Sequence, residues 1–337
     1  MTRPSTALDF IRIASIDKAI RIIIYRVRRT PMGSSNAGNM LKIIRVHIVA
    51  GGILAFSLGA LLALVGGGSF NLARVVLAYI VVLLGDLSTH YSNDYFDVEV
   101  DNHIEQKKIF AHSAILVNHP NLRSVSKSIS ISLFVCANIL AIVIFLFIGA
   151  PIEIFIVILG ASLVGWFYSA PPTRLISRGF GEVAVACVTG FAIPAIGYLA
   201  VRGQFDPLFV YLAVPFVMYG FMLSLSLEAP DAEIDRKGGK RTLVVRKGAR
   251  SIFSLILALA ASATLMFIVY SWFVASAVVD LGVVYLFSTV PLIAALAGFV
   301  GIFQKRSVNH FSALNIASLF VFNILVIGYL LTAVLAA

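Results

Sequence analysis

Two short stretches of this chain concentrate carboxylates at helical spacing. Asn93-Asp94-Tyr95-Phe96-Asp97-Val98-Glu99-Val100-Asp101 closes one long apolar segment, and Pro230-Asp231-Ala232-Glu233-Ile234-Asp235 closes another. Asn93, Asp97 and Asp101 step by four residues and so share a helix face. Asp231 and Asp235 do the same, with Glu228 three residues earlier on that stripe. Carboxylates this dense repel one another at a membrane edge unless cations neutralise them. An oxygen-only set, with no cysteine and no dominant histidine, suits a hard cation such as Mg2+. Mg2+ is typically held by one or two carboxylates and shared with substrate phosphates. The implied chemistry is a diphosphate bound through Mg2+ between two acidic helix ends.

Basic residues complete the layout. The second motif runs into Arg236-Lys237-Gly238-Gly239-Lys240-Arg241-Thr242-Leu243, where a glycine pair lets backbone approach a ligand and Lys240 and Arg241 can meet phosphate charge. A third loop reads Tyr168-Ser169-Ala170-Pro171-Pro172-Thr173-Arg174-Leu175, then Arg178-Gly179-Phe180-Gly181-Glu182. Tyr168, Arg174 and Arg178 are within reach of the same basin, although a proline helix stop with snorkelling arginines explains the loop as well. Glu182 equally suits the N-terminal dipole of the helix it opens. Asp86, His90, Asn93 and Asp97 form one face of their helix, which should line a cavity. For Asp86 and His90 a plain polar helix contact is an equal alternative. His47, His103, His112, His119 and His310 show no ligand spacing and are expected to be solvated or packed.

The elements that position these groups are apolar. The chain has 337 residues, 60% hydrophobic and 12% charged, about half the charged share of a soluble domain. It is an all-α polytopic membrane protein by composition. Nine segments near spanning length cover approximately 43–65, 72–92, 128–149, 151–169, 182–201, 207–227, 251–275, 280–303 and 312–336. With a cytoplasmic N-terminus, 24 of the 26 Lys and Arg residues fall on the inner side, leaving Arg74 and Arg202 outside. Both acidic motifs then face the cytoplasm, on the second and sixth spans. That offset suggests two related bundles meeting at a central cavity open to the cytoplasmic side.

Residues 1–39 form a separate basic extension ahead of the bundle at 40–337. Within 7–29, Arg12, Lys18, Arg21, Arg26, Arg28 and Arg29 alternate with apolar residues, as in a helix lying on an anionic leaflet, and Met32 to Gly38 read as a flexible linker. The net charge of +10 fits this topology and an anionic partner better than nucleic acid. Cys136 and Cys187 are expected to be inert core thiols without a disulfide. There is no Ser-His-Asp pattern, no GxxxxGK[ST] phosphate loop and no nucleic-acid module in the sequence.

The two motifs with the Tyr-Ser-Ala-Pro-Pro loop between them resemble the UbiA-type intramembrane prenyltransferases. Asn93, Asp94, Asp97 and Asp101 match that family's NDxxDxxxD motif, and Asp231 and Asp235 its DxxxD motif. The resemblance covers roughly residues 40–336. It implies nine helices around a central cavity, Mg2+, and a polyprenyl diphosphate donor. The wording Tyr-Ser-Ala-Pro-Pro-x-Arg-Leu with Gly-x-Gly-Glu, and Glu228-Ala229-Pro230-Asp231, looks like the 1,4-dihydroxy-2-naphthoate prenyltransferase branch. Two positions depart from it. Pro172 stands where many relatives carry lysine, with Arg174 or Arg178 as replacements, and Phe110-Ala111-His112-Ser113 replaces a Gly-Gly-Ser stretch.

The expected mechanism follows from both readings. Asn93, Asp97, Asp101, Asp231 and Asp235 hold Mg2+ and the diphosphate, while Lys240, Arg241 and Arg174 neutralise remaining charge. The allylic C–O bond ionises in an apolar, aromatic-lined cavity, and an aromatic acid attacks, its carboxylate met by Arg45. Transfer to a non-aromatic lipid such as geranylgeranylglyceryl phosphate is the alternative within enzymes. An ion-coupled transporter using Asp86, Asp97 and Asp235 is the alternative of another class.

Overall fold

The computed structural model describes residues 36–103, 114–273 and 279–336. Among them, nine helices are long and apolar enough to cross a membrane. In chain order these are α1 (Val46–Val65), α2 (Leu72–Phe96), α3 (Arg123–Phe147), α4 (Ile152–Ser169), α5 (Gly181–Arg202), α6 (Pro207–Glu228), α7 (Leu243–Phe273), α8 (Leu281–Phe303) and α9 (Val308–Ala336). The starts are chemically marked. Asn71 accepts the Arg74 N–H ahead of α2, Asp206 accepts the Phe209 N–H ahead of α6 with Pro207 as its first residue, and Asp280 accepts the Gly282 N–H ahead of α8.

Neighbours in sequence pack as neighbours in space, and α9 returns against α1 to close the bundle. Small residues bring backbones together at the centre. A Cβ on Gly59 of α1 would fall 1.9 Å from the Pro194 carbonyl oxygen, and one on Gly197 of α5 would fall 2.2 Å from that of Phe56. With lipid outside, such close van der Waals contact supplies attraction that the hydrophobic effect does not. α5 contains a π-helical turn at Val188–Ala192, just before Pro194, which has no N–H to donate. Phe216, Tyr219, Phe267 and Phe322 interlock α6, α7 and α9, with the Tyr219 and Phe322 rings 4.9 Å apart.

The spans match the sequence expectation in number and order. Several begin earlier than expected: α3 at Arg123 rather than 128, α7 at Leu243 rather than 251, α9 at Val308 rather than 312. Their first turns are polar and extend beyond what apolar length measures. Two expectations need correction. Asn36–Leu41 is helical, so the proposed linker ends sooner; Met40 and Ile43 pack with Tyr91, Val98 and Leu122, and the Tyr91 hydroxyl donates to the Met40 carbonyl. Cys136 and Cys187 are free, as expected, but lie exposed on the helix exterior rather than in the core. The lipid-facing surface is as apolar as the interior, with Phe147, Trp272, Leu286 and Ile293 exposed, so hydrophobicity alone does not sort the two. The amphipathic stretch at 7–29 and the segment Phe110 to Ser113, with His112, lie outside the described residues.

Candidate active site

The first acidic motif straddles a break in the helix. α2 stops at Phe96, Asp97 adopts φ −96° and ψ 8°, and Val98–Asp101 forms a further helical turn. The ladder nonetheless continues, with Asp97 N–H donating to Asn93 O at 2.9 Å and Asp101 N–H to Asp97 O at 2.8 Å. The four-residue step therefore keeps its common face. Asn93, Asp94, Asp97 and Asp101 are all buried. Arg45, which precedes α1, donates to Asp94 Oδ1 at 2.9 Å. With its amide oriented to satisfy both ends, Asn93 donates to Asp97 Oδ2 at 2.9 Å and accepts from Arg45 Nη1 at 3.1 Å; Ser169 at the end of α4 is 2.6 Å away.

The second motif is built differently. Pro230 lacks an N–H, and α6 passes through a 3₁₀ turn at Ala229–Asp231 into the short helix Ala232–Lys237. The chain then folds back, with Lys240 N–H on the Asp235 carbonyl at 2.9 Å. Lys240 joins the two motifs: its Nζ is 2.8 Å from Asp97 Oδ2 and 3.4 Å from Asp235 Oδ1. Two carboxylates on one ammonium are close enough to share one cation or one diphosphate. Glu182 accepts the Leu243 N–H, so a carboxylate at the start of α5 caps the start of α7 and fixes the loop carrying Lys240.

Below this network lies a cavity of about 310 Å³. Its motif end is lined by Arg45, Asn93, Tyr168, Glu228, Asp231 and Asp235, and its depth by apolar residues such as Leu54, Val82, Ile158, Phe216 and Phe320. Ser224 donates to Glu228 at 3.3 Å. Asp94, Asp97, Asp101 and Lys240 form the layer around that end rather than its wall. Arg174, Arg178 and Arg241 are exposed, and Arg178 donates to the Pro172 carbonyl at 2.8 Å. The structure thus gathers Arg45 and Lys240 with the carboxylates and leaves the three loop arginines at the rim. Asp86, His90 and His47 also line the cavity. For His47 the sequence carries no signal beyond its place two residues after Arg45, and for Ser169 none beyond its place in the proline loop.

Negative charge is concentrated at this end. Asp94, Asp97, Asp101, Asp231 and Asp235 are all buried, with Arg45 against Asp94 and Lys240 against Asp97 and Asp235. Burial, then the neighbouring Asp94 and Asp97, pushes the Asp101 carboxyl up to about 9, although Lys240 and Arg45 pull it back. Burial on its own would lower Lys240, but Asp97 and Asp235 hold its pKa above the usual lysine value. Among the described residues no three His, Cys, Asp or Glu side chains converge on a single point. The Lys240 ammonium stands between Asp97 and Asp235 instead. The donor set is nevertheless oxygen-only, buried and rich in carboxylates, which fits a hard divalent cation.

Comparison with known proteins identifies the family and the fold. Residues 53–324 match the UbiA prenyltransferase family. The 1,4-dihydroxy-2-naphthoate octaprenyltransferase of Bacillus subtilis (strain 168) is 21% identical over 280 residues, covering 80% of this chain and 85% of that one. The digeranylgeranylglyceryl phosphate synthase of Pyrococcus abyssi (strain GE5 / Orsay) is 29% identical over 217 residues, covering 62% and 69%. In three dimensions the fold is similar to a UbiA homolog from Archaeoglobus fulgidus bound to DMAPP and Mg2+, with TM-score 0.68 at 16% identity over 89% of this chain and 100% of that one. The same homolog bound to GPP and Mg2+ superposes with TM-score 0.66 at 16% identity, covering 88% and 99%. The chain belongs to the UbiA prenyltransferase family and is a membrane-embedded prenyltransferase.

Proposed function

We propose that the enzyme transfers a polyprenyl group of geranylgeranyl type from its diphosphate to a small aromatic acceptor, 1,4-dihydroxy-2-naphthoate or a similar quinone precursor. The observation that carries this reading is Lys240 bridging Asp97 and Asp235 at the polar end of an apolar cavity. A diphosphate has its place among those groups, and its hydrocarbon tail has the apolar depth. The Bacillus relative, aligned over 85% of its length, supports the aromatic acceptor.

Asn93, Asp97, Asp101, Asp231 and Asp235 would hold Mg2+, and the Archaeoglobus homolog of similar fold is bound to Mg2+ with a prenyl diphosphate. Bound Mg2+ supplies positive charge to the leaving diphosphate and so lowers the barrier to breaking the allylic C–O bond. Lys240 adds a fixed ammonium beside it, and Arg241, Arg174 and Arg178 at the rim can close over its outer oxygens. Tyr168 presents its ring at the cavity wall, where an aromatic face stabilises a developing carbocation. Apolar walls keep water from that cation. Arg45, on the cavity wall and steadied by Asp94 and Asn93, would receive the acceptor carboxylate, with Glu228 also on the wall and Asp94 in the layer behind. If attack occurs at the carboxyl-bearing carbon, loss of CO2 restores the aromatic ring.

Transfer to a lipid alcohol is the second reading, and the Pyrococcus relative favours it. The test is to incubate the enzyme in lipid nanodiscs with geranylgeranyl diphosphate, Mg2+ and either acceptor. The naphthoate should yield a prenylated, decarboxylated product, with EDTA abolishing turnover. Product from geranylgeranylglyceryl phosphate alone would replace the aromatic reading with the lipid one.

The topology proposed with this function puts the N-terminus and the motif loops in the cytoplasm of a cell-membrane enzyme. Its support is the Lys and Arg distribution. Residues 40–337 form the catalytic bundle and 1–39 a basic membrane-surface extension.

A further inference from the structure

Deeper in the cavity, one ionisable pair stands apart from the acidic motifs. Asp86 and His90 are one helical turn apart on α2, and both line the cavity wall. His90 Nε2 lies 3.4 Å from Asp86 Oδ1, a charge-pair distance without the alignment of a hydrogen bond. His90 is only 3% exposed, and neither ring nitrogen has a hydrogen-bond partner. A buried imidazole left in this state loses free energy unless something in the cavity completes it. Arg45, just ahead of α1, and His47, in its first turn, line the same cavity. A Cβ on Gly85 or Gly52, both in this wall, would touch nothing within 4 Å, so there is open space beside the pair.

Position along the helix gives the pair its role. At 1.5 Å per residue, His90 sits about 4.5 Å and Asp86 about 10 Å deeper than Asn93. A diphosphate held at the level of Asn93 and Asp97 places its allylic carbon roughly one helical turn inward, beside His90. The atom that attacks this carbon must come within about 3.5 Å of it. We infer that His90 is the base that takes the proton of the acceptor hydroxyl, and that Asp86 orients the imidazole and balances its charge when protonated. This rests on the prenyl-transfer reading above and adds the acceptor half of the site to it.

The step balances without a further reactant. The acceptor O–H bond breaks and its proton goes to a His90 ring nitrogen. The oxygen electron pair, used directly or through the aromatic ring, forms the new bond to the allylic carbon. The C–O bond to the donor breaks and its pair leaves on the diphosphate. With a naphthoate acceptor, CO2 departs leaving its bonding pair in the ring, and the oxygen recovers the proton from His90. With an alcohol acceptor, the proton passes from His90 to water or diphosphate.

The experiment measures two reactions in nanodiscs with Mg2+ and geranylgeranyl diphosphate. One is slow diphosphate release without acceptor, which reports the donor half alone. The other is transfer to a series of dihydroxynaphthoates carrying electron-withdrawing substituents, whose hydroxyls are progressively more acidic. His90→Asn should lower kcat for transfer roughly 100-fold or more, leave acceptor-free release unchanged, and recover most with the most acidic acceptors. Asp86→Asn, which keeps the side-chain shape, should show the same pattern with a smaller loss. Transfer within threefold of wild type in His90→Asn would overturn the inference. So would an equal loss across all acceptors, the signature of a structural role. A failure of the donor-site reading shows up separately, as absent Mg2+-dependent release in the wild type.

Discussion

The two acidic motifs meet at one end of the bundle but are held there by different means. Asn93 and Asp94 sit in a network with Arg45 and Ser169, on a helix whose backbone ladder continues through Asp97 to Asp101. Asp231 and Asp235 follow a proline-driven 3₁₀ turn and reach the rest of the site through Lys240. The first motif is held by side chains from two other elements, Arg45 ahead of α1 and Ser169 at the end of α4. The second depends on one loop, itself pinned by Glu182 against the start of α7. The difference separates residues whose loss removes a ligand from residues whose loss removes a position.

The largest effect should come from the ligands. Asp97→Ala or Asp235→Ala should lower kcat for transfer by about a thousandfold or more, the scale expected when electrostatic stabilisation of a leaving group is lost, while the protein still folds and inserts. Product quantitation beside a gel-filtration profile checks this. Near-wild-type turnover in either variant would refute the metal assignment.

Lys240→Ala probes the link. In metal-free protein it leaves two buried carboxylates facing each other, at a cost of about 3 kcal/mol or more. Its melting temperature without metal should therefore fall sharply, and Mg2+ should restore more of it than in the wild type. Equal losses with and without Mg2+ would mean that Lys240 is merely structural.

Arg45→Ala tests the steadier motif. It should raise the acceptor KM by about tenfold, with a smaller change in donor KM, if Arg45 meets a carboxylate worth about 1–3 kcal/mol. An increase confined to the donor would assign Arg45 to the diphosphate through Asp94 and Asn93.

The smallest effect is on pH dependence. Asp101 has a folded pKa of about 9 against an ordinary 3.8, so the folded state holds a proton that the unfolded chain has released. Its stabilising contribution is complete below the ordinary value and is lost as pH rises through the folded one. Metal-free protein should therefore melt at lower temperature as pH rises across that window, and Asp101→Asn should flatten the trend. Unchanged slopes would show that Asp101 is not the group that titrates in this window.

Much of this was legible in the sequence because a bilayer allows few solutions. Nine apolar segments with alternating loop charge fix the number and order of the spans, and carboxylates at four-residue steps fix a face. What was not legible depends on contacts between elements. Lys240 is one of four basic residues in its loop; only the fold shows it buried between Asp97 and Asp235 while Arg241 stays exposed. Arg45 reads as a partner for an acceptor carboxylate, and only the fold brings it against Asp94. Cys136 reads as core because lipid and core select the same residue types. His90, balanced in the sequence between cavity and helix contact, is placed in the cavity wall by the packing of α2.

The account requires one metal-bound diphosphate gripped by both motifs at once. A non-ionisable thiolodiphosphate analogue of the donor, titrated calorimetrically in Mg2+, reads that directly in Asp97→Asn, Asp235→Asn and the double variant. Each single change should remove nearly all Mg2+-dependent affinity, and the double should lose little more, because both act on the same ligand. Additive losses, or one variant binding as tightly as wild type, would mean that the motifs serve separate sites.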